Sequence, residues 1–260
     1  MPAPEDDLAL LLAAATEAGE IAMRYWRNEP RFWDKGDDQG PVSEADLEVN
    51  RHLEARLRAT RPDYGWLSEE STDDASRLDA KRVFIIDPID GTRAFLDGQE
   101  GFSHSLAIAE GERILAGVVH LPARQVTYAA SAQGPATRNG QPIAPKEADI
   151  AAATVLANKP TLNPALWRDG VLPPFKRDFR PSLAWRLCLA AEGAFNAAVS
   201  LRGAWEWDIA AGSLIAERAG CAVTDRKGRT MAFNSAGAKL DGLVIAPPRL
   251  HGEILARLAD

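Results

Sequence analysis

Two aspartates directly follow a buried-strand pattern near residue 85, and they constrain the fold more than any other feature of the chain. Residues 83–86 read Val-Phe-Ile-Ile, which is typical of a buried strand. Residues 87–92 continue as Asp-Pro-Ile-Asp-Gly-Thr. Because a proline fixes its own φ and keeps the preceding residue extended, the strand is expected to stop at Asp87 and bend. Asp87 and Asp90 should therefore lie at the carboxyl end of a strand, a common position for a functional site.

The chemistry of this segment favours a cation and a phosphate. Two carboxylates three residues apart raise each other's pKa unless a cation lies between them. Mg²⁺ prefers oxygen ligands and can share phosphate oxygens with a substrate. Gly91 lets the backbone approach a ligand closely, and a helix or turn beginning at Thr92 would offer free N–H groups to a phosphate. An ordinary β-turn also accommodates these residues, so the segment alone leaves both interpretations open.

Three further segments place acidic residues at the ends of predicted elements. Glu69 follows the short apolar run at residues 65–68, Asp46 lies three residues after a helix-capping Ser43, and Asp208 opens a helix whose next residues are small. Each has a structural explanation when taken alone. Glu69 suits a solvated loop, Asp46 suits a helix N-terminus, and Asp208 suits an N-cap. The small residues after Asp208 would also let that helix approach another backbone closely.

Net charge narrows the classes of partner. The 260-residue chain has a formal net charge of -7, which disfavours general electrostatic binding to nucleic acid or to an anionic membrane. An anionic substrate would need locally placed cations, which suggests bound metal ions. The two cysteines, Cys188 and Cys221, lie far apart and are expected to be reduced thiols. With an acidic N-terminus that does not resemble a signal peptide, these features predict a cytoplasmic protein.

Hydrophobic periodicity predicts an antiparallel α+β half (residues 1–148) and an α/β half (residues 149–260) that pack as one unit. A polar loop is expected over residues 33–42, and Asn139-Gly140 is a hairpin signal. Helices are expected over residues 7–27, 43–61, 182–192 and 208–219 and after residue 248, and strands over residues 65–68, 83–86, 103–109, 114–121, 126–130, 154–157, 195–199 and 243–246.

Taken together, the acidic segments resemble the lithium-sensitive, Mg²⁺-dependent phosphatase superfamily that includes inositol monophosphatases and 3′(2′),5′-bisphosphate nucleotidases. The motifs occur in the family's order at residues 43–46, 68–70, 87–92 and 207–212, the last reading Trp-Asp-Ile-Ala-Ala-Gly. The resemblance spans about residues 8–250. It implies a layered αβαβα sandwich and a hydrolase of phosphoric monoesters.

The resemblance also implies a role for each matching residue. Two Mg²⁺ ions, with a third and weaker one near Glu69, would be held by Glu69, Asp87, the Ile89 carbonyl, Asp90 and Asp208. Asp46 and Thr92 would take the proton from the nucleophilic water, with Glu69 also in a catalytic role. The backbone of Gly91 and Thr92 would bind the phosphate. Lys35 matches a loop lysine of relatives, and its role is left open.

Two arginines suggest the kind of phosphate ester. Arg93 follows Asp-Gly-Thr as a basic residue does in bisphosphate nucleotidases, and residues 186–193 are similar to one of their helices. The resemblance therefore implies Arg93 and Arg186 as substrate-binding residues. Leu183-Ala184 replaces a serine pair, and Asn196 replaces an acid found in many relatives. Both departures fall where relatives recognise a sugar or base.

Three functions remain open from the sequence. The first is a nucleotidase that converts 3′-phosphoadenosine 5′-phosphate to AMP and phosphate. The second is an inositol monophosphatase or another sugar or polyol phosphatase. The third is a partner-binding protein that retains the fold without the activity. In the first two cases the partner is a small phosphorylated metabolite, and the protein could be a monomer or a homodimer.

Overall fold

A computed structural model describes residues 2–36 and 40–259 of the chain. Within those ranges the helices are α1 (Pro4–Tyr25), α2 (Glu44–Thr60), α3 (Thr92–Leu96), α4 (Leu183–Ala191), α5 (Glu206–Ala219) and α6 (Pro248–Leu255). The strands are β1 (Phe32–Asp34), β2 (Pro41–Ser43), β3 (Gly65–Ser68), β4 (Arg82–Asp90), β5 (Ser103–Glu110), β6 (Arg113–Leu121), β7 (Val126–Ser131), β8 (Thr137–Arg138), β9 (Gln141–Pro142), β10 (Thr154–Ala157), β11 (Lys176–Asp178), β12 (Ala197–Ser200), β13 (Ala204–Trp205), β14 (Ala222–Thr224), β15 (Lys239–Leu240) and β16 (Leu243–Ala246).

The larger sheet has the strand order β3-β4-β5-β6-β7-β8-β9. Strands β3 and β4 run parallel, and every later neighbour is antiparallel, as the predicted meander requires. The hairpin signal at Asn139-Gly140 is the turn between β8 and β9. The smaller sheet has the order β11-β10-β12-β16-β14, in which β16 is antiparallel to both of its neighbours.

Helices and sheets alternate as five layers. Helices α1 and α2 pack on one face of the larger sheet, and α4 and α5 fill the space between the two sheets. Helix α6 covers the outer face of the smaller sheet. Adjacent residues of β10 show the alternation, since Leu156 faces α4 and α5 while Val155 faces the α6 side. The predicted αβαβα sandwich is confirmed.

Small residues let α5 lie close to the larger sheet. A Cβ atom on Gly117 of β6 would come within 2.9 Å of the Cα atom of Ala211 in α5. The small residues after Asp208 therefore permit the close backbone approach that the sequence predicts. Gly220 ends the helix in a left-handed conformation with φ of 105°. This contact brings Asp208, in the first turn of α5, to the sheet end that carries Asp87.

Several predicted boundaries are wrong by a few residues. The strand expected to stop at Asp87 continues through Pro88 to Asp90, because a bulge accommodates the proline. Helix α1 begins at Pro4 because proline suits a first helical position. The predicted loop at residues 33–42 contains the pairing of β1 with β2, and its residues 37–39 lie outside the described residues. The strand expected at residues 195–199 is Ala197–Ser200. Helix α5 begins at Glu206, so Asp208 lies in the first turn and is not the N-cap. Across residues 2–36 and 40–259, no helix is both long and apolar enough to span a bilayer.

Candidate active site

Three carboxylates from three elements converge at the end of the larger sheet. Glu69 follows β3, Asp87 belongs to β4 and Asp208 belongs to α5, and one oxygen of each lies within 4.8 Å of the other two. We call this group the acid triad. Asp87 is 1% exposed, and its buried Oδ1 atom has no hydrogen-bond partner among the described residues. An unpartnered buried carboxylate oxygen in an all-oxygen cluster fits a divalent cation.

Charge in the triad is unfavourable unless a cation is present. Burial, followed by repulsion from Glu69 and Asp90, raises the pKa of Asp87 well above its usual value. Burial, followed by repulsion from Asp90 and Glu69, does the same to the pKa of Asp208. Without a cation these groups hold their protons to higher pH than ordinary carboxylates do, and a bound cation would favour their anionic forms.

Asp90 lies beside the triad with one oxygen already engaged. Its Oδ2 atom accepts hydrogen bonds from the Ser182 hydroxyl at 2.6 Å and from the Ala184 N–H at 2.7 Å. Asp90 is therefore held against the N-terminus of α4. The Ile89 carbonyl oxygen lies 3.1 Å from the Thr92 hydroxyl oxygen. Asp90 and Ile89 thus line the same part of the cleft as the triad, and their role as metal ligands stays a prediction.

Asp46 joins the site through its helix cap. Its Oδ2 atom accepts from the Ser43 N–H at 2.9 Å, which completes the capping box at the start of α2. Its Oδ1 atom accepts from the Thr92 hydroxyl at 3.1 Å. Burial raises the pKa of Asp46 to about 6. At neutral pH the side chain is therefore mainly ionised and accepts the hydroxyl proton of Thr92.

Gly91 joins β4 to α3 in a left-handed conformation. Its φ is 94°, which side chains rarely adopt, and a Cβ there would lie 3.3 Å from the Gly101 carbonyl oxygen. The glycine therefore lets α3 begin at Thr92 immediately beside the carboxylates. Arg93, the next residue, is exposed.

Lys35 supplies a positive charge at the edge of the triad. Its Nζ atom lies 2.7 Å from Oε1 of Glu69 and 2.9 Å from Oε1 of Glu70. Burial alone would lower the pKa of Lys35, but the two carboxylates raise it, so the ammonium stays charged. Lys35, whose role the sequence left open, is thus a counter-charge for Glu69 in this structure.

A cleft with two lobes surrounds these groups. The first, about 720 Å³, contains Arg186 and is called the arginine lobe. The second, about 860 Å³, contains Gly91 and is called the glycine lobe. Glu69, Asp90 and Asp208 line both, so the carboxylates lie where the lobes meet. Arg202 also lines both.

Arg186 forms a fixed cationic wall in its lobe. It is 5% exposed and donates to Oδ1 of Asn158 at 2.9 Å and to the Pro181 carbonyl at 3.2 Å. Burial lowers its pKa to about 10, so it is charged at neutral pH. Its Nε atom is buried without a partner among the described residues. Phe179 lies under its guanidinium, 4.7 Å away.

Lys239 and two tryptophans form another wall of the arginine lobe. The Trp205 and Trp207 rings stack with centroids 4.8 Å apart, and the Lys239 ammonium lies 4.5 Å from the Trp205 centroid. The pairing of β13 with β15 sets Lys239 opposite Trp205.

Sequence reasoning missed Ser182, Asn158, Arg202 and Lys239 as residues of the site. Ser182 was recognised only as the start of a helix. Lys239 reaches the cleft through a two-residue strand pairing that leaves no periodic signal.

A cluster of carboxylates where two arginine-containing lobes meet suits the site of a phosphoric monoester hydrolase, and the comparisons agree. The model of the inositol monophosphatase family matches residues 4–260. A 3′-phosphoadenosine 5′-phosphate phosphatase of Mycobacterium leprae is 31% identical, over 92% of this chain and 88% of the relative. A histidinol-phosphatase of Chlorobaculum parvum is 30% identical, over 98% and 97%.

Solved structures show the same architecture. An IMPase of Thermotoga maritima superposes with a TM-score of 0.83 at 26% identity, covering 96% of each chain. The chain belongs to the inositol monophosphatase family. Its relatives differ in the phosphate ester they are named for, so family membership leaves the substrate undefined.

Proposed function

We propose that this enzyme is a Mg²⁺-dependent 3′(2′),5′-bisphosphate nucleotidase that releases phosphate from 3′-phosphoadenosine 5′-phosphate and leaves AMP. The observation that carries the proposal is the placement of arginines on both sides of the carboxylates. Arg186 and Arg202 line the arginine lobe, and Arg93 and Arg202 line the glycine lobe. A substrate whose scissile phosphate sits at the junction can reach a guanidinium with its second phosphate in either direction.

The charged residues and the volume of the arginine lobe favour an anionic leaving group over a neutral one. Besides the shared carboxylates, the arginine lobe carries Asp73, which is paired with Arg77. Arg202 and Lys239 therefore present cationic groups to whatever fills the lobe. Its volume of about 720 Å³ lies in the range of small-molecule sites and admits a nucleotide.

The metal ligands of the proposal are Glu69, Asp87, the Ile89 carbonyl, Asp90 and Asp208. Bound Mg²⁺ would neutralise these carboxylates, lower the pKa of a water molecule and offset charge on the leaving oxygen. The unpartnered Oδ1 atom of Asp87 and the all-oxygen donor set support this assignment.

The protein's own groups supply the proton transfer and the orientation. Asp46, with a pKa of about 6, holds the Thr92 hydroxyl by accepting its proton, which leaves the Thr92 oxygen free to accept a proton from water. The nearby backbone N–H groups of Gly91 and Thr92 would orient the phosphate. Hydrogen bonds from Ser182 and from the N-terminus of α4 hold Asp90 in place.

The test compares initial rates on 3′-phosphoadenosine 5′-phosphate, AMP, inositol 1-phosphate, histidinol phosphate and fructose 1,6-bisphosphate. The proposal expects at least a tenfold higher kcat/KM on the first. Loss of a charge-assisted hydrogen bond costs about 1.5–3 kcal/mol, so Arg202→Ala or Arg93→Ala should reduce that preference about 10- to 100-fold. Arg226→Ala, whose parent side chain pairs with Asp241 outside the cleft, is the matched control. Equal or higher rates on inositol 1-phosphate would reject the nucleotidase in favour of a polyol phosphatase.

A further inference from the structure

One extra residue in β4 decides that both aspartates of the Asp-Pro-Ile-Asp segment face the site. Asp87 is paired with Ser105 of β5, and Asp90 is paired with Ser103. Three steps along β4 therefore correspond to two steps along β5, which is a β-bulge. In a regular strand, residues three apart point to opposite faces of the sheet. The bulge at Pro88 and Ile89 brings Asp87 and Asp90 to the same face.

The side chains of β5 identify which face of the larger sheet carries the site. The Ser103 and Ser105 hydroxyls bond to Ser182 before α4 and to the Trp207 carbonyl in α5, so they point toward the α4 and α5 layer. His104, between them, points to the opposite side of the sheet. Its ring lies against that of His120, with centroids 6.1 Å apart and planes 25° apart.

His104 forms a hydrogen bond to the bulge itself. Its Nδ1 atom lies 2.5 Å from the carbonyl oxygen of Pro88, and the residue is 0% exposed. A carbonyl only accepts, so Nδ1 carries the proton and donates it. Burial lowers the pKa of His104 to about 3, which keeps the ring neutral. The Nε2 atom has no partner among the described residues, so Pro88 is the polar contact that orients the ring.

The neighbouring carbonyl shows why this contact matters. The carbonyl oxygen of Ile89, the second bulge residue, lies 3.1 Å from the Thr92 hydroxyl on the side of the site, but the single proton of that hydroxyl is donated to Asp46. The Pro88 carbonyl is held by His104 from the opposite side. The His104 bond is therefore the contact that we assign to fixing the backbone between Asp87 and Asp90.

We propose that His104 is a positioning residue that locks the Pro88 bulge and thereby aims Asp87, Asp90 and the Ile89 carbonyl at the divalent cations of the site. It touches neither substrate nor cation and acts through the backbone of β4. The proposal rests on the proposed Mg²⁺ dependence for its effect on catalysis, whereas metal binding is measured directly.

The test compares two replacements of the His104 ring, one that keeps a hydrogen-bond donor and one that lacks it. In His104→Asn, the amide Nδ2 can occupy the place of Nδ1 and donate to Pro88. His104→Leu keeps bulk but has no donor. Groups that orient metal ligands typically affect affinity by about 10- to 100-fold. We therefore expect the Mg²⁺ Kd, measured by isothermal titration calorimetry on metal-free protein, to rise at least tenfold in His104→Leu and less than threefold in His104→Asn.

His120→Asn is the matched control, because it disturbs the stacked partner and its bond to Thr127 but leaves the bulge contact in place. Its Kd should stay within threefold of wild type. If His104→Leu does not fold by circular dichroism, His104→Val, which suits a strand, replaces it. A wild-type Kd in the donor-free variant, or equal losses in both His104 variants, would overturn the proposal. Absence of Mg²⁺ binding by the wild-type protein would instead reject the proposed metal dependence.

Discussion

The hydroxyl of Thr92 donates a hydrogen bond to Oδ1 of Asp46 across 3.1 Å, joining the first turn of α3 to the first turn of α2. Both residues lie beside the acid triad, and neither belongs to it. Helix capping alone would explain the bond from Ser43 to Asp46 but not the second one. This geometry supports the proton-transfer role that we propose for the pair.

Thr92→Ala should lower kcat about 10²- to 10⁴-fold, the usual range for loss of a positioned acid–base group. Thr92→Ser keeps the hydroxyl and should stay within tenfold of wild type. The Mg²⁺ Kd should change little in either variant, because the triad is untouched. Steady-state kinetics with calorimetry checks both quantities. Near-wild-type turnover in Thr92→Ala would exclude the pair from proton transfer.

Asp208→Asn should have opposite effects with and without metal. Removing one charge relieves repulsion within the triad, so the melting temperature of the metal-free protein should rise. Removing one ligand should raise the Mg²⁺ Kd about 100-fold or more, beyond the effect of an outer contact. Asp149→Asn, at a side chain that is 78% exposed, is the control and should change neither. A fall in metal-free stability would contradict the repulsion that we infer.

Lys35→Gln should destabilise the metal-free protein and strengthen metal binding. Glu69 and Glu70 lose their ammonium partner, which for a partly screened pair costs about 1–3 kcal/mol. The same ammonium competes with a cation for Glu69, so its removal should lower the Mg²⁺ Kd. Denaturant unfolding and calorimetry give the two values, with the exposed Lys227→Gln as control. Weaker metal binding in Lys35→Gln would show that the lysine assists the cation.

Stabilisation by Mg²⁺ should increase with pH. The folded-state pKa values of Glu69, Asp87 and Asp208 are raised by burial, so these acids hold protons at pH values where the unfolded chain has lost them. Mg²⁺ must displace those protons, and it does so more easily at higher pH. The rise in melting temperature on adding Mg²⁺ should therefore be larger at pH 8 than at pH 5.5. Any effect of the histidines on stability is common to the samples with and without Mg²⁺ and cancels in the difference. A shift that does not depend on pH would argue against binding at the triad.

Gly117→Ala should destabilise the fold by about 1–3 kcal/mol, because the added methyl would lie 2.9 Å from the Cα atom of Ala211. It would push α5, and with it Asp208, away from the sheet. Gly252→Ala in α6 meets no atom within 4 Å and should stabilise by up to about 1 kcal/mol. Urea unfolding of both variants measures the contrast. Equal stability of the two would show that the β6–α5 contact is not close in solution.

Local chemistry made the layers and the convergence of most of the site's carboxylates predictable. Ser43 and Asp46 form the capping box that their spacing indicates, and the small residues after Asp208 allow the packing that they predict. Pro88 and Gly91 mark the bend and the left-handed turn at the end of β4. In each case a rule about one residue and its near neighbours was sufficient.

Features that depend on distant pairing could not be predicted in this way. His104 follows Phe102 and Ser103 in an ordinary strand pattern, and only the register with Asp87 and Asp90 places it opposite the bulge. Lys239 needs the pairing of β15 with β13 to reach the cleft. Tertiary packing sets both the register of the bulged β4–β5 pair and the two-residue pairing of β13 with β15. Neither can be inferred from the local pattern of a single sequence.

The acid triad draws Glu69 and Asp87 from the larger sheet and Asp208 from a helix about 120 residues later in the chain. During synthesis on the ribosome, the strands that carry the first two acids emerge long before Asp208. A nascent chain therefore holds crowded carboxylates without their last partner until α5 has docked against β6. Tight Mg²⁺ binding would then begin only when folding is complete. A chain truncated before α5 should bind Mg²⁺ weakly in the cell.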